Sequence, residues 1–146
     1  QFGAFILVYL LIIDYWIDTA SALKKFPPKR ELDIIIDVAV VFTFFLFIYY
    51  TQVDITHFLS AFISFRILDA LWIFRVKREY QLTHHEEIVM HTWLIADFME
   101  AVFALGLIAV YHAYQVAPLV LLGIFFGLWL LVRILSSFRY KRVYFV

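Results

Sequence analysis

The sequence predicts an all-α integral membrane protein, a polytopic bundle of about five transmembrane helices. Of its 146 residues, 65% are apolar and 21% are aromatic, and the mean hydropathy is +0.90. A soluble domain of this length buries far less apolar surface. The apolar residues also fall into five segments, each close to the roughly 20 residues that cross a hydrocarbon core.

Polar and proline-containing breaks separate the five segments, which together form a single transmembrane domain over residues 1–146. The break "KKFPPKR" ends the first segment, because its two prolines interrupt a helix and favour a new start. The break "TQVD" is short, which predicts an antiparallel pair. Thr83 and Glu86 fit a capping box and mark the fourth start. The predicted helices cover residues 2–23, 31–50, 55–75, 83–114 and 117–138.

The basic residues predict the orientation of the bundle. Of the 12 lysine and arginine residues, all but Arg66 lie in the first loop, in the third loop or near the C-terminus. Positive charge is retained on the cytoplasmic side during insertion. We therefore expect the N-terminus outside and the C-terminus in the cytoplasm. The chain begins without methionine in an apolar run, so we also expect residues upstream of Gln1, and we interpret this run as a mature helix rather than a signal peptide.

Several charged residues lie within the apolar segments, at similar estimated depths. Counted at 1.5 Å per residue from each helix centre, they fall between the midplane and about 9 Å to its cytoplasmic side. On the fourth helix, periodicity predicts one face that we expect to point inward, and it consists of Glu86, Trp93, Asp97, Glu100, Ala104 and Tyr111. The predicted charge layer consists of Asp14, Asp37, Arg66, Asp69, Asp97, Glu100 and Arg133.

This predicted layer contains more acids than bases, because Arg66 and Arg133 are its only cations. A charged side chain facing lipid at this depth costs about 2.5–3.5 kcal/mol, so these groups must face the bundle or a partner. Three interpretations are open: a structural network that fixes the helices in register, a pathway for protons or cations, and a surface for another subunit. The surplus acids must therefore be protonated, bind a cation, be solvated in a water-filled cavity or pair with another chain.

The third helix resembles the arginine-bearing helix of a voltage-sensor domain. It has Arg66, Asp69, Trp72, Arg75 and Arg78 at intervals of three, after an aspartate-bearing second helix and a short turn. The resemblance implies a voltage-sensor-like or ion-channel module as an alternative function. In that family arginine recurs at every third position, whereas Asp69 and Trp72 occupy two of those positions here.

The histidines provide candidate metal or cofactor ligands. His84, Glu87 and His91 share a helical face in "HHEEIVMH", which also has the features of a solvated helix start. His57 and His112 lie near the outer ends of the third and fourth helices, at similar depth, where they could flank a haem, a metal or a quinol. A membrane redox or metal-binding protein is therefore a second alternative. The sequence has no cysteine for thiolate ligands.

Other features concern partners and activity. Gly123 and Gly127 have small-xxx-small spacing, which suits either packing inside the bundle or contact with another chain. No catalytic triad, nucleotide-binding loop or nucleic-acid-binding pattern is visible, so we expect no catalytic activity of its own. We expect a small membrane subunit that lies in the lipid bilayer, packs with other subunits or copies of itself, and supports proton or cation movement through the charge layer.

Overall fold

The computed structural model describes residues 2–50 and 54–139, and all regular secondary structure in these ranges is helical. The all-helical fold class is therefore confirmed. Within the described ranges the helices are α1 (Phe2–Lys25), α2 (Glu31–Tyr49), α3 (Ile55–Glu79), α4 (His84–Tyr114) and α5 (Pro118–Arg139). Residues 51–53 of the predicted second loop, and Lys141 and Arg142 of the predicted basic tail, lie outside the described residues.

The helix starts follow local sequence signals. Thr83 Oγ1 accepts a hydrogen bond from the Glu86 backbone N–H at 3.2 Å, and the Glu86 carboxylate accepts one from the Thr83 N–H at 3.0 Å. The predicted capping box is therefore confirmed. α5 begins at Pro118, in the first helical turn where a missing N–H costs nothing.

The third helix is one turn longer than the predicted range 55–75. It continues to Glu79 because Val76 is buried and Arg75 contacts the Glu79 carboxylate one turn later. Arg75, which we counted among the third-loop cations, therefore lies within α3.

α3 lies at the centre of the bundle and packs against α2 through a series of phenylalanine contacts. The ring centroids of Phe44 and Phe65 are 5.5 Å apart, and those of Phe47 and Phe58 are 4.9 Å apart. The residue number increases on one helix as it decreases on the other, so the two helices are antiparallel. Edge and tilted aromatic contacts of this kind stabilise the helix pair beyond simple apolar burial.

α1 and α5 pack on other sides of α3. The Tyr15 ring of α1 contacts Phe62 and Phe65 at centroid distances of 5.9 Å. Phe125 of α5 contacts Phe62 at 4.8 Å. α4 follows α3 through a short loop, and its Trp93, Asp97, Glu100 and Ala104 are all buried. The middle of the face that periodicity predicted to point inward therefore does so, while Glu86 and Tyr111 at its two ends are only partly buried.

Three helices in the described part of the chain are long and apolar enough to cross a membrane: Glu31–Tyr49, His84–Tyr114 and Pro118–Leu135. Their outward faces remain apolar, as Phe42, Phe98 and Leu119 illustrate by their large exposed fractions. Such a surface suits a bilayer rather than water. The number of spans and the orientation of the bundle stay predictions.

Candidate functional site: a carboxylate cavity between four helices

Arg66 of α3 is the centre of the buried charge cluster, and its partners come from two helices. Its Nη1 forms a close ion pair with Asp97 Oδ1 of α4 and lies 3.5 Å from Asp69 Oδ2 of its own helix. Its Nε lies 3.5 Å from Glu100 Oε2, one turn beyond Asp97 on α4. Asp97 and Glu100 are three residues apart, so they lie on the face of α4 that meets Arg66. Asp69 follows Arg66 by three residues and lies on the same face of α3.

Tyr15 of α1 connects this cluster to the rest of the bundle. Its hydroxyl donates a hydrogen bond to Glu100 Oε2 at 2.8 Å. Its ring lies 4.4 Å from the guanidinium carbon of Arg66 and 5.4 Å from that of Arg133. The side chain is almost completely buried, so both cation–π contacts form away from water, where they are strongest. One tyrosine thus contacts both arginines of the predicted charge layer.

A second group of charges lies beside Tyr15, where α5 meets α1. Arg133 Nη2 lies 2.6 Å from Asp14 Oδ2 and 2.8 Å from Asp18 Oδ2. Asp14 and Asp18 are one turn apart on α1, so a single guanidinium reaches both carboxylates. These pairs hold α5 against α1.

A small polar cavity lies between the two groups, and we call it the carboxylate cavity. Its volume is about 30 Å³, which is room for roughly two water molecules. Asp97 Oδ2 and Asp18 Oδ1 have no hydrogen-bond partner within the described part of the chain. The residues that line it are Tyr15, Asp18, Thr19, Ala22, Arg66, Asp69, Trp93, Ala96, Asp97, Glu100, Val132 and Arg133.

The charges around the carboxylate cavity do not balance. Its two cations are Arg66 and Arg133, and both guanidiniums remain protonated at any physiological pH. Asp97 is 2% exposed and Glu100 is 4% exposed, so bulk water does not solvate them. The carboxyl groups of the cavity and its Arg133 pairs belong to Asp14, Asp18, Asp69, Asp97 and Glu100. Ionising all of them would leave more negative than positive charge in the bundle.

The end of the bundle with the α2–α3 and α4–α5 loops is apolar inside. Leu11, Phe62 and Phe125 lie there, beyond Tyr15 and Arg66, and each is buried. Among the described residues, no charged side chain is buried on that side of the cavity. We call Leu11, Phe58, Phe62, Leu107 and Phe125 the apolar seal.

Two members of the predicted charge layer do not line the carboxylate cavity: Asp14 pairs with Arg133 beside it, whereas Asp37 lies apart from it. Asp37 Oδ1 lies 2.8 Å from Nη2 of Arg75, which is 2% exposed. The second Arg75 amino group lies 3.7 Å from Glu79 Oε2 and donates to the Pro27 carbonyl at 3.4 Å. Arg30 contacts the same Glu79 at 2.7 Å. This set, which we call the loop clamp, fastens the α1–α2 loop to the end of α3.

The candidate metal ligands of α4 do not come together as a site. His84, Glu87 and His91 are exposed on the surface of the helix. Within residues 2–50 and 54–139, no group of three or more histidine or acidic side chains has the arrangement of a metal site. These residues therefore have the solvated environment that their position near a helix start also predicted.

The two outer histidines have local contacts. His57 Nδ1 lies 2.8 Å from Asp54 Oδ2 at the start of α3, and its side chain is largely exposed. This hydrogen bond lowers the pKa of the Asp54 carboxyl below its ordinary value. The His112 ring contacts Tyr111 at a centroid distance of 5.4 Å. Neither contact creates a binding slot for a haem or a quinol.

Gly123 and Gly127 do not pack closely inside the bundle. A Cβ atom added at either position would have nothing within 4 Å among the described residues. The small-xxx-small spacing suggested either packing inside the bundle or contact with another chain. Within the described residues, these glycines do not pack closely against the other helices.

Two contributors to the site were missed from sequence. Tyr15 was not among the predicted site residues, and Asp18 was not included in the predicted charge layer. Asp18 could have been found, because it follows Asp14 by four residues and so shares its helical face. No signal in the sequence predicts the contact between Tyr15 and Glu100, since that contact depends on how α1 is rotated relative to α4.

No protein-family model, curated protein or solved structure matches this chain.

Proposed function

We propose that this chain is a small membrane-embedded subunit that moves protons through the carboxylate cavity. One observation carries the proposal: the acids around the carboxylate cavity outnumber the guanidiniums that neutralise them. A buried carboxylate without a cation is costly, and taking up a proton removes the cost. Acids that must be protonated inside a membrane are suited to accept and release protons.

The size of the cavity favours protons over hydrated metal cations. A volume of about 30 Å³ holds roughly two water molecules. A hard cation such as Ca²⁺ or Mg²⁺ needs six or more oxygen ligands around it. Protons need only a chain of groups that both donate and accept, which protonated carboxyls, a tyrosine hydroxyl and water provide. The contact between Tyr15 and Glu100 is one such link.

In the membrane, we expect five spans with the carboxylate cavity on the cytoplasmic side of the midplane. The distribution of lysine and arginine supports this orientation. The apolar seal then faces outward, so protons exchange with the cytoplasmic side in this conformation. Complete passage requires the seal to open or another chain to supply the outer half of the route.

We expect the chain to assemble with other membrane chains. Support comes from the open face of α5 at Gly123 and Gly127, where another helix can approach closely. Purification from the native membrane in mild detergent tests this: stoichiometric copurification of another membrane protein, or a discrete oligomer, is expected. A monomer that purifies alone contradicts this part of the proposal.

Proton flux into vesicles that contain a pH-sensitive dye tests the pathway. Asp97→Asn and Glu100→Gln keep the shape of the side chains but replace the titratable carboxyl group with an amide that does not take up or release protons near neutral pH, so each is expected to lower flux while the protein stays folded. Glu87→Gln is the matched control, because Glu87 is an exposed acid on the same helix. Undiminished flux in the Asp97 and Glu100 variants would remove the pathway.

A variant of Arg66 distinguishes a purely structural charge network from a proton pathway. Arg66→Gln leaves its acidic partners without their cation, and removing one member of a buried ion pair costs about 3–5 kcal/mol. Loss of folding or assembly is the expected result. The opposite result is that Asp97→Asn and Glu100→Gln destabilise the protein as strongly as Arg66→Gln does, without lowering flux in the protein that remains folded. In that case the charge network only fixes the helices in register.

A further inference from the structure

Facing stretches of α1 and α4 bound one side of the carboxylate cavity. Asp18 and Ala22 of α1 line it, and so do Trp93 and Asp97 of α4. The two residues on each helix are four apart, so they lie on one face. α1 runs toward the α1–α2 loop and α4 runs away from the α3–α4 loop, and these loops meet at the same end of the bundle. Beyond Ala22 and Trp93, the space between α1 and α4 therefore leads to that end.

An ion pair closes this space near the surface. Lys25 Nζ lies 3.6 Å from Glu86 Oε2. Lys25 is three residues beyond Ala22 on α1, and Glu86 is seven residues before Trp93 on α4, so both continue the helix faces that line the cavity. The pair therefore joins the two helices between the carboxylate cavity and the end of the bundle with the basic loops.

The two partners of this ion pair differ in how firmly they are held. The second Glu86 carboxylate oxygen, Oε1, accepts the capping hydrogen bond from the Thr83 N–H at 3.0 Å, and the side chain is 13% exposed. The Lys25 side chain is 38% exposed, and its stem is long and flexible. A partly exposed ion pair of this length adds little net stability, so it opens readily. Lys25 is therefore the part that moves, while Glu86 stays fixed.

The route behind the ion pair is narrow and buried. Ala22 is 4% exposed and Trp93 is 9% exposed. The cavity that it reaches has a volume of about 30 Å³, room for roughly two water molecules. Asp97 Oδ2 and Asp18 Oδ1, which have no hydrogen-bond partner within the described part of the chain, can accept hydrogen bonds from such water. A route of this width suits water and protons rather than larger solutes.

We propose that water and protons enter the carboxylate cavity between α1 and α4, through a mouth that the Lys25–Glu86 ion pair closes. When Lys25 turns toward solvent, the route past Ala22 and Trp93 opens, and the surplus acids exchange protons with the solution. The role of the mouth in proton exchange rests on the proposed function, whereas the access of water does not.

The reactivity of a cysteine in the cavity tests the mouth without any flux measurement. The chain has no cysteine of its own, so Thr19→Cys, at a buried position that lines the cavity, provides a single thiol. The probe is silver nitrate in chloride-free buffer, because Ag⁺ is small enough to follow water and binds the soft thiolate. Full-length protein in lipid nanodiscs is exposed to Ag⁺ for timed intervals, and the unreacted thiol is measured with a maleimide after denaturation.

Breaking the ion pair from either side is expected to speed this reaction. Lys25→Ala and Glu86→Gln are each expected to raise the rate by about threefold or more, and glutamine still serves the helix cap. The two variants change the charge at the mouth in opposite directions, so an increase in both is not an effect of charge on Ag⁺. Lys24→Ala and Glu87→Gln are the matched controls at exposed neighbouring positions, and neither is expected to change the rate.

Filling the mouth is expected to have the opposite effect. Ala22→Phe, or Ala22→Leu if the first variant does not fold, is expected to slow the reaction at least about tenfold, because the larger side chain excludes water from the route. Proton flux is expected to fall as well. Ala109→Phe is the control, at an exposed alanine of α4 outside the cavity. Ala96→Cys, which also lines the cavity, replaces Thr19→Cys if that variant does not fold.

Two results would overturn the proposal: ion-pair variants that react no faster than their controls, or an unchanged rate when Ala22 is enlarged. The outcomes also separate the two proposals. Rates that follow the mouth variants, in a protein without proton flux, remove the pathway and keep the mouth. Proton flux that carboxylate variants lower, together with a rate that no mouth variant changes, keeps the pathway and removes the mouth.

Discussion

At the scale of single residues, Tyr15 is the side chain on which the two charged groups converge. Its hydroxyl donates a hydrogen bond to Glu100, and its ring contacts the guanidiniums of Arg66 and Arg133. The ring and the hydroxyl therefore have separable roles. The ring stabilises two cations, while the hydroxyl offers a proton link to an acid.

Tyr15→Phe separates these roles. The ring contacts remain, so the protein is expected to fold, with a loss of about 1–3 kcal/mol from the missing hydrogen bond to Glu100. Proton flux in reconstituted vesicles is expected to fall by about tenfold or more, because a donor and acceptor leaves the relay. Tyr49→Phe, at an exposed tyrosine of α2, is expected to change neither quantity. Equal flux in wild type and Tyr15→Phe would exclude the hydroxyl from the pathway.

Gln115 is a residue whose backbone conformation is unfavourable for its type. It ends α4 with φ 50° and ψ 43°, in the left-handed region, and its N–H bonds to the Tyr111 carbonyl at 2.9 Å. Glycine adopts this conformation without steric cost and is the usual residue at such helix ends.

Gln115→Gly is therefore expected to stabilise the protein by about 1 kcal/mol, measured as a higher unfolding midpoint in detergent. Gln115→Ala keeps the Cβ atom that causes the cost, so its midpoint is expected to stay within about 0.5 kcal/mol of the wild type. A gain of the same size from both variants would assign the effect to the lost glutamine side chain.

At the scale of elements, α3 supplies the central cation of two charged groups, Arg66 in the cavity and Arg75 in the loop clamp. Arg66 pairs with acids of α4 near its middle, and Arg75 pairs with Asp37 of α2 near its end. The voltage-sensor resemblance stays a prediction, and this arrangement weighs against it. Moving α3 along its axis by three residues would bring Asp69 to the position of Arg66, opposite Asp97 and Glu100, where like charges repel.

The loop clamp is expected to be the main electrostatic support of α3 at the end with the α1–α2 loop. Arg75→Met leaves Asp37 and Glu79 without their shared cation, so the free energy of unfolding is expected to fall by about 3–5 kcal/mol. Denaturant titration of the detergent-solubilised protein, followed by helix content, measures the change.

Arg78→Met is the matched control, because Arg78 is an exposed arginine one turn later on the same helix. Its effect is expected to stay within about 0.5 kcal/mol. If Arg75→Met were as mild as Arg78→Met, the clamp would contribute no net stability, as happens when the cost of burying an ion pair equals its attraction.

At the scale of the whole molecule, the bundle is polar at one end of its interior and apolar at the other. The carboxylate cavity and the loop clamp lie toward the end with the α1–α2 and α3–α4 loops, and the apolar seal lies toward the opposite end. The basic loops lie at the polar end as well, so the orientation of the chain determines which compartment the carboxylate cavity faces.

The absence of cysteine from the sequence makes this orientation easy to measure. Gln81→Cys lies in the α3–α4 loop and Ala117→Cys in the α4–α5 loop, both at exposed positions. A membrane-impermeant maleimide is expected to label Ala117→Cys from outside intact cells and Gln81→Cys only in inside-out vesicles. The reverse pattern would turn the carboxylate cavity toward the outside, and labelling of both from one side would contradict the single span, α4, expected between them.

The sequence by itself determined the all-helical class, the start of α4 and the inward face of α4, because apolar periodicity and capping residues act locally. It also indicated that intramembrane acids outnumber the cations available to them. Only the tertiary structure decided which acid meets which arginine. Depth counting placed Asp37 level with Asp69, yet Asp37 pairs with Arg75, about 9 Å farther along α3.

The physical reason is that pairing between helices depends on two quantities that an apolar segment does not specify, its rotation about its own axis and its offset along it. One turn of error moves a side chain by about 5.4 Å, enough to change its ion-pair partner. Packing of Tyr15 against Phe62 and Phe65 orients α1, and so brings Asp18 to the carboxylate cavity, where it meets Arg133 of α5.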